Sequence, residues 1–219
     1  MKLCMFDFDG TLADTLVTIA YYVNITLKDY GYGEIPVEDI KSMIGKGSIV
    51  LIQKALLWHG ANPDEYEVIH KDYRERYDRD FTYLTAPYDG IVDMLREIKK
   101  TGIKIAVISN KDHKTTTGLA EKFFGTDLID LCFGARKGVP LKPDPAVVYE
   151  VMEHFGADKK DCFYIGDTGT DIETAKNAGV HSIGVLWGFR DREELVSAGA
   201  DSIVAKPSEI TSIIKHLAE

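Results

Sequence analysis

Short apolar runs recur along this chain, and most are followed by a polar turn and then by a helical pattern. A run that is apolar at consecutive positions is typical of a strand buried on both faces of a parallel sheet. Helices that alternate with such strands cover the two faces. We therefore predict parallel strands at residues 2–8, 103–109, 131–133, 161–165, 181–186 and 202–205.

Apolar residues at spacings of three and four predict the helices between these strands. Ile91, Leu95 and Ile98 are one such set. The fold class that results is α/β, with a Rossmann-like parallel sheet flanked by helices. Outside the insertion described next, this spacing predicts helices at residues 90–100, 145–155 and 210–217.

The alternation breaks after the first strand. Roughly 70 residues follow with helical patterns and no convincing strand, whereas a connection between parallel strands needs only about a dozen. We predict an inserted α-helical cap domain at residues 14–83, and a core domain formed by residues 1–13 and 84–219. The helices predicted in the insertion cover residues 15–30, 36–44, 48–60 and 63–80.

Composition and charge narrow the class of protein. The 219 residues are 45% hydrophobic and 28% charged, as in ordinary globular enzymes. A net charge of -9 argues against non-specific binding to nucleic acid or to an anionic membrane surface. No apolar run reaches the ~18 residues of a membrane span. Three cysteines without Cys-x-x-Cys spacing indicate reduced thiols, so we expect a cytoplasmic protein.

Acidic residues follow two of the predicted strands, where ligands of open parallel sheets bind. Asp7 and Asp9 follow the first strand, and Asp167 and Asp171 follow the fourth. Up to four carboxylates close together are unfavourable unless a cation offsets them or a proton is retained. Oxygen ligands of this kind suit Mg²⁺. Taken alone, Asp171 is equally typical of the first turn of a helix.

Hydrogen-bond donors are expected at the same edge of the sheet. Ser109 and Asn110 follow the second strand, and Lys142 precedes a helix. Their hydroxyl, amide and ammonium groups suit the oxygens of a phosphate. Thr11 and the backbone amides after Gly10 can add further donors.

Four motifs in this chain resemble, in order and spacing, those of the haloacid dehalogenase superfamily. They are DFDGTLADT at residues 7–15, ISNK at 108–111, LKPDP at 141–145 and GDTGTD at 166–171. The helical insertion looks like the type-1 cap of that superfamily. Two further segments are similar to those of the bacterial phosphoglycolate phosphatases. They are IGKG at residues 44–47, in the insertion, and GVLWGFRDREEL at 184–195, near the end of the chain.

The resemblance implies a phosphomonoester hydrolase that acts on small phosphorylated metabolites of the phosphoglycolate kind. By this likeness Asp7 attacks phosphorus and forms an aspartyl-phosphate. Asp9 protonates the leaving alcohol and then deprotonates the hydrolytic water. Ser109 and Lys142 bind the phosphoryl oxygens, with Asn110 nearby.

The resemblance also implies the cofactor Mg²⁺, held by Asp7, the backbone carbonyl of Asp9, and Asp167, while Asp171 orients a metal-bound water. In the cap, Lys46 is a candidate for binding a distal anionic group of the substrate, such as a carboxylate. A solvated lysine in a turn between helices is the alternative for Lys46.

Other activities share parts of this pattern. A β-phosphoglucomutase-like phosphotransferase and a pyrophosphatase of the same superfamily remain alternatives. Dehalogenases need neither the acid at Asp9 nor a metal, and receiver domains are shorter and lack a cap. The expected partner is a small-molecule phosphate ester, with no nucleic acid and no membrane, and the sequence leaves monomer and homodimer both open.

Overall fold

The structure is a computed structural model that describes residues 2–216. Its strands, in chain order, are Leu3–Phe6 (β1), Ala13–Asp14 (β2), Ala86–Pro87 (β3), Lys104–Asp112 (β4), Leu131–Ala135 (β5), Cys162–Gly166 (β6), His181–Val185 (β7) and Ser202–Val204 (β8). Its α-helices are Leu16–Asp29 (α1), Val37–Met43 (α2), Ser48–Trp58 (α3), Tyr66–Arg79 (α4), Ile91–Lys100 (α5), His113–Leu128 (α6), Ala146–Phe155 (α7), Gly169–Ala178 (α8), Arg192–Ala198 (α9) and Pro207–His216 (α10).

Within the described residues, six of these strands form one parallel sheet in the order β5-β4-β1-β6-β7-β8. The predicted α/β fold is therefore confirmed. The first strand is shorter than predicted and ends at Phe6, although the Asp7 amide still donates to the carbonyl of Ile165 at 2.9 Å. The two-residue strands β2 and β3 were not predicted, because two residues carry no detectable period.

Consecutive residues of the central strands face opposite sides of the sheet. Leu3 and Met5 on β1 pack in one buried cluster with Tyr164 on β6 and with apolar residues of α7 and α8. Cys4 and Phe6 are also fully buried, on the other face. Helices therefore cover both faces of β1, as its continuous apolar run requires. The closing helix ends at His216 in the structure, and Leu217, the predicted last residue, lies outside the described residues.

The chain divides into two compact units. One contains the residues up to Asp14 and those from Pro87 onward, and the other is Thr15–Ala86. The second unit holds α1 to α4 around its own apolar core, in which α4 packs against α1 and α3. No helix within residues 2–216 is both long and apolar enough to cross a lipid bilayer.

Candidate active site

The register of the parallel strands places several polar side chains at one edge of the sheet. Phe6 on β1 pairs with Val107 on β4 and with Ile165 on β6. Asp7 is the next residue after Phe6, while Ser109 and Asp167 each lie two residues past the partner of Phe6. The ends of β1 and β6 and the neighbouring part of β4 therefore bring their side chains to one place. The sequence predicted that the second strand ends at Ser109, whereas β4 continues to Asp112.

Three buried carboxylates meet at this edge. Oxygens of Asp7, Asp167 and Asp171 all lie within 4.8 Å of one another. The sequence predicted up to four carboxylates here, and three of them form this cluster in the part of the chain that the structure describes. The Asp9 carboxylate is not in the group, because it forms an ion pair with Lys111.

Lys142 is the cation in contact with this cluster. Its Nζ lies 2.7 Å from Asp171 Oδ1 and 2.9 Å from Asp7 Oδ1, and its side chain is only 4% exposed. Burial lowers the pKa of the Lys142 ammonium, but Asp171 and Asp7 outweigh burial and raise it well above its ordinary value. Lys142 is therefore a permanent positive charge beside Asp7.

The buried carboxylates are not fully compensated by this one lysine. Burial raises the pKa of Asp7 to about 7, with Lys142 opposing the rise and Asp171 adding to it. Burial, together with Asp171 and Asp7, raises the pKa of Asp167 well above its ordinary value. With Lys142 as their cation, these carboxyl groups therefore hold their protons more tightly than exposed carboxyl groups do.

Asp171 belongs to the carboxylate cluster and also lies in the first turn of α8, the two positions that the sequence left open. Its Oδ2 accepts from the Thr168 amide at 3.0 Å, and the Thr168 hydroxyl accepts from the Asp171 amide at 3.3 Å, which together form a capping box. The Thr168 hydroxyl also donates to Oδ2 at 2.7 Å. Asp171 Oδ1 accepts from Lys142. The same carboxylate therefore starts a helix and fixes the lysine.

Asp167 is held in place through both of its oxygens. Oδ1 accepts from the Thr11 hydroxyl at 2.9 Å, and Oδ2 accepts from the Phe189 amide at 2.8 Å. A Cβ atom added to Gly10 or to Gly188 would overlap Asp167, so the backbone approaches this carboxylate too closely for any side chain. The structure thus uses the Thr11 hydroxyl, a predicted phosphate ligand, to orient Asp167.

Asn110 holds the backbone of Lys142. Its side-chain amide donates to the Lys142 carbonyl at 3.1 Å and accepts from the Lys142 amide at 2.9 Å. Ser109, two residues past Val107, is buried and accepts from the Lys111 amide at 3.3 Å. The observed contacts of Asn110 position Lys142, and the expected place of Asn110 near the phosphate stays a prediction.

Lys111 is a member of the site that the sequence analysis did not assign. Its Nζ lies 3.1 and 3.2 Å from the two carboxylate oxygens of Asp9. The signal was available, because Lys111 follows Ser109 and Asn110 directly. Tyr164 was also missed: it is fully buried, and the Lys142 Nζ lies 5.8 Å from its ring centroid.

Lys46 belongs to the other unit, Thr15–Ala86. It is exposed in the turn between α2 and α3, between Gly45 with φ of 120° and Gly47 with φ of 86°. Its role in substrate binding stays a prediction.

The residues present fit a divalent cation. Asp7, Asp167 and Asp171 offer only oxygen ligands, and as carboxylates they would carry three negative charges beside Lys142. Hard, anionic oxygen ligands suit Mg²⁺. Asp7, Asp167 and Asp171 are together the side chains that could hold the ion.

Comparisons with known proteins agree with this geometry. The family model of the haloacid dehalogenase-like hydrolases matches residues 4–185. The chain is 31% identical to a phosphoglycolate phosphatase of Aquifex aeolicus, with all of both chains covered. It is 28% identical to a phosphoglycolate phosphatase of Nitrosospira multiformis, covering 98% of this chain and 96% of that one.

A solved structure shares the fold. The crystal structure of a protein from Lactobacillus delbrueckii subsp. bulgaricus superposes with a TM-score of 0.90 at 30% identity, covering 98% of this chain and 99% of that chain. Sequence motifs, strand-end carboxylates and these matches agree. The chain belongs to the haloacid dehalogenase-like hydrolases.

Proposed function

We propose that this protein is a Mg²⁺-dependent phosphatase that hydrolyses small phosphate monoesters of the phosphoglycolate kind. The observation that carries the proposal is the contact between Asp7 and Lys142, buried beside Asp167 and Asp171 at the strand ends. A nucleophilic carboxylate next to a fixed cation suits attack on a phosphate dianion, because the cation offsets the repulsion between like charges. The names of the relatives support phosphoglycolate as the first substrate to test.

The first half of the reaction transfers the phosphoryl group to the enzyme. An oxygen of Asp7 attacks phosphorus, and the bond between phosphorus and the alcohol oxygen breaks. Asp9 gives a proton to that oxygen, so the alcohol leaves neutral. An aspartyl-phosphate on Asp7 remains.

The second half releases inorganic phosphate. Asp9, now a carboxylate, takes a proton from water, and the water oxygen attacks phosphorus. The bond between phosphorus and Asp7 breaks, which restores both carboxyl groups for the next cycle. A bound Mg²⁺ supplies positive charge to the attacking carboxylate and to the phosphoryl oxygens.

Lys142 and Ser109 are the groups we assign to the phosphoryl oxygens. The Lys142 Nζ already lies 2.9 Å from Oδ1 of Asp7, the carboxylate that attacks phosphorus. Ser109 is buried within β4, close to the end of β1. Asn110 holds the backbone of Lys142, and we assign its side chain to the phosphate site as well.

We also propose that the helical unit Thr15–Ala86 is the cap that selects the substrate, as predicted for residues 14–83. Its insertion between β1 and the rest of the sheet supports this role, since such an insertion follows directly on the Asp7 and Asp9 strand end. Helical lids commonly exclude water and add substrate contacts.

A cytoplasmic location agrees with Cys4, Cys132 and Cys162, which form no disulfides.

Phosphate release tests the proposal. Purified protein is incubated with phosphoglycolate, pyrophosphate, hexose phosphates and nucleotides, with Mg²⁺ or with EDTA. We expect Mg²⁺-dependent phosphate release, greatest with phosphoglycolate. A hexose phosphate converted without phosphate release would indicate the mutase alternative, and preference for pyrophosphate would indicate the pyrophosphatase.

Asp7→Asn tests the covalent step. It should lose about a thousandfold or more in kcat while remaining folded, because the amide is a poor nucleophile. Asp127→Asn is the matched control, since Asp127 is an exposed carboxylate of the same unit. Turnover by Asp7→Asn at the rate of the control would contradict an aspartyl-phosphate.

A further inference from the structure

Two lysines contact the two catalytic carboxylates separately. Lys142 contacts Asp7, and Lys111 contacts Asp9 through both carboxylate oxygens. The Lys111 and Asp9 side chains are only 9% and 13% exposed. Lysine is rarely buried to this extent without a partner anion, and Asp9 is that partner here.

The positions of Asp7 and Asp9 in the proposed reaction separate the two lysines by function. Asp7 bonds to phosphorus, so Lys142 lies on the side of the transferred phosphoryl group. Asp9 exchanges a proton with the alcohol oxygen, which it must approach to about 3 Å. Lys111 therefore lies on the side of the leaving alcohol and not on the side of the transferred phosphoryl group.

From this arrangement we propose that Lys111 binds a carboxylate carried by the leaving alcohol. The inference rests on the proposed phosphatase function and names its substrate class: phosphate esters of hydroxy acids in which a single carbon separates the ester oxygen from the carboxylate. Lys111 is then a specificity-determining residue. The substrate carboxylate must lie this close to the ester oxygen, because Lys111 contacts Asp9 and Asp9 must contact the ester oxygen.

Charge complementarity favours a carboxylate over a neutral group. A substrate that fills this corner displaces water from Lys111, and a neutral alcohol offers no anion in exchange. An ammonium has three N–H donors, so it can contact Asp9 and an incoming carboxylate together. The Lys111 side chain also starts from the end of β4, which is a rigid element of the central sheet.

The test compares two esters of nearly the same shape. Phosphoglycolate carries the carboxylate, and 2-hydroxyethyl phosphate carries a neutral hydroxymethyl group in its place. We expect Lys111→Met to lower the ratio of kcat/KM for phosphoglycolate over 2-hydroxyethyl phosphate by about 10- to 100-fold, the size of one charged hydrogen bond. Most of this change should appear as a higher KM for phosphoglycolate.

Three further variants keep the outcome clear. Lys114→Met, at an exposed lysine on α6, is the control and should leave the ratio within about twofold of the wild type. Lys46→Met tests the competing assignment of the carboxylate to Lys46, and an unchanged ratio is the result that the assignment to Lys111 requires. Lys111→Gln replaces Lys111→Met if circular dichroism shows that the latter is unfolded.

Each result has one meaning. An equal loss of activity on both esters in Lys111→Met would show that Lys111 only positions Asp9, and would overturn the proposed specificity. A fall in the ratio in Lys46→Met alone would also overturn it. Wild-type protein that releases phosphate from neither ester, nor from the other esters of the screen, would instead overturn the proposed phosphatase function.

Discussion

The hydroxyl group of Tyr164 on β6 donates a hydrogen bond to the backbone carbonyl of Ile108 on β4, 3.2 Å away. Strand β1 lies between those two strands, so this side chain connects the two neighbours of the strand that carries Asp7. Ile108 directly precedes Ser109, and the Tyr164 ring also lies against Lys142. Tyr164 thus bonds to the residue before Ser109 and lies beside Lys142, the two groups that we assign to the phosphate.

Removing that hydroxyl should reduce both activity and stability. Tyr164→Phe is expected to lower the free energy of unfolding by about 1–2 kcal/mol, the cost of one buried hydrogen bond. Its kcat should fall several-fold because Ser109 and Lys142 lose a shared support. Phosphate release and urea unfolding measure the two effects.

Tyr149→Phe is the matched control for this prediction. The Tyr149 hydroxyl donates to the Asn177 carbonyl at 3.1 Å, but at an exposed position. We expect its kcat to match the wild type. A Tyr164→Phe protein with wild-type kcat at saturating substrate would show that the hydroxyl does not position the site.

The two hydrogen bonds between Asn110 and the backbone of Lys142 predict a similar dependence. Asn110→Ala should cost about 1–3 kcal/mol of stability and should lower kcat/KM, because the lysine loop loses its anchor. Asn24→Ala is the control: its amide makes the same pair of bonds, both 2.9 Å, to the backbone of Ile35 in the helical unit. Equal loss of stability in both variants, with loss of kcat only in Asn110→Ala, is the expected result. Parallel loss of kcat would contradict a specific role for Asn110.

Stability should depend on pH and Mg²⁺ together. Burial raises the pKa of Asp7 to about 7, and in the unfolded chain it returns to about 3.9. Between these values the folded protein binds more protons than the unfolded chain, so the contribution of Asp7 to the free energy of unfolding is lost as pH rises. Mg²⁺ binds the deprotonated carboxylates, so its stabilising effect should grow as pH rises.

Thermal unfolding with Mg²⁺ and with EDTA measures this coupling. We expect the Mg²⁺-induced rise in Tm to be larger at about pH 8 than at about pH 5.5. Asp7→Asn should show a weaker dependence, since it has no proton to lose at that position. The same Mg²⁺ shift at both pH values in the wild type would argue against these carboxylates as the ligands.

Close backbone packing around Asp167 gives a steric prediction. A Cβ atom at Gly188 would overlap Asp167 and the Gly10 carbonyl, so Gly188→Ala should cost about 1–3 kcal/mol and weaken Mg²⁺ binding. Gly33→Ala is the control, because the nearest atom to its added Cβ is 3.9 Å away. Thermal unfolding with a Mg²⁺ titration should separate the two variants, and equal behaviour would contradict the steric explanation.

Features encoded locally were the ones the sequence predicted well. The apolar runs of β1, β4 and β6 depend on nearest neighbours in the chain, and so do the acidic residues that follow β1 and β6. Contacts between distant segments could not be read in this way. The bond from the Phe189 amide to Asp167 uses a backbone group, which leaves no mark in the residue type.

Because contacts between distant segments could not be read from the sequence, the partners of Thr11 and Asn110 were not predicted. Thr11 and Asn110 are hydrogen-bonding residues of the right kind, but their partners, Asp167 and Lys142, are set by tertiary packing. Lys111 directly follows Ser109 and Asn110, but its sequence position alone assigns it no role. Its importance follows from its distance to Asp9, and strand spacing alone does not give that distance.

The sheet order has a consequence for how the protein is made. Strand β1 leaves the ribosome first but lies in the middle of the sheet, between β4 and β6. At typical translation rates, roughly one hundred residues separate β1 from the end of β4, or about 5–20 s of synthesis. During that interval the apolar β1 has no partner strand, so the nascent chain is most open to aggregation and to chaperone binding before the sheet can begin to form.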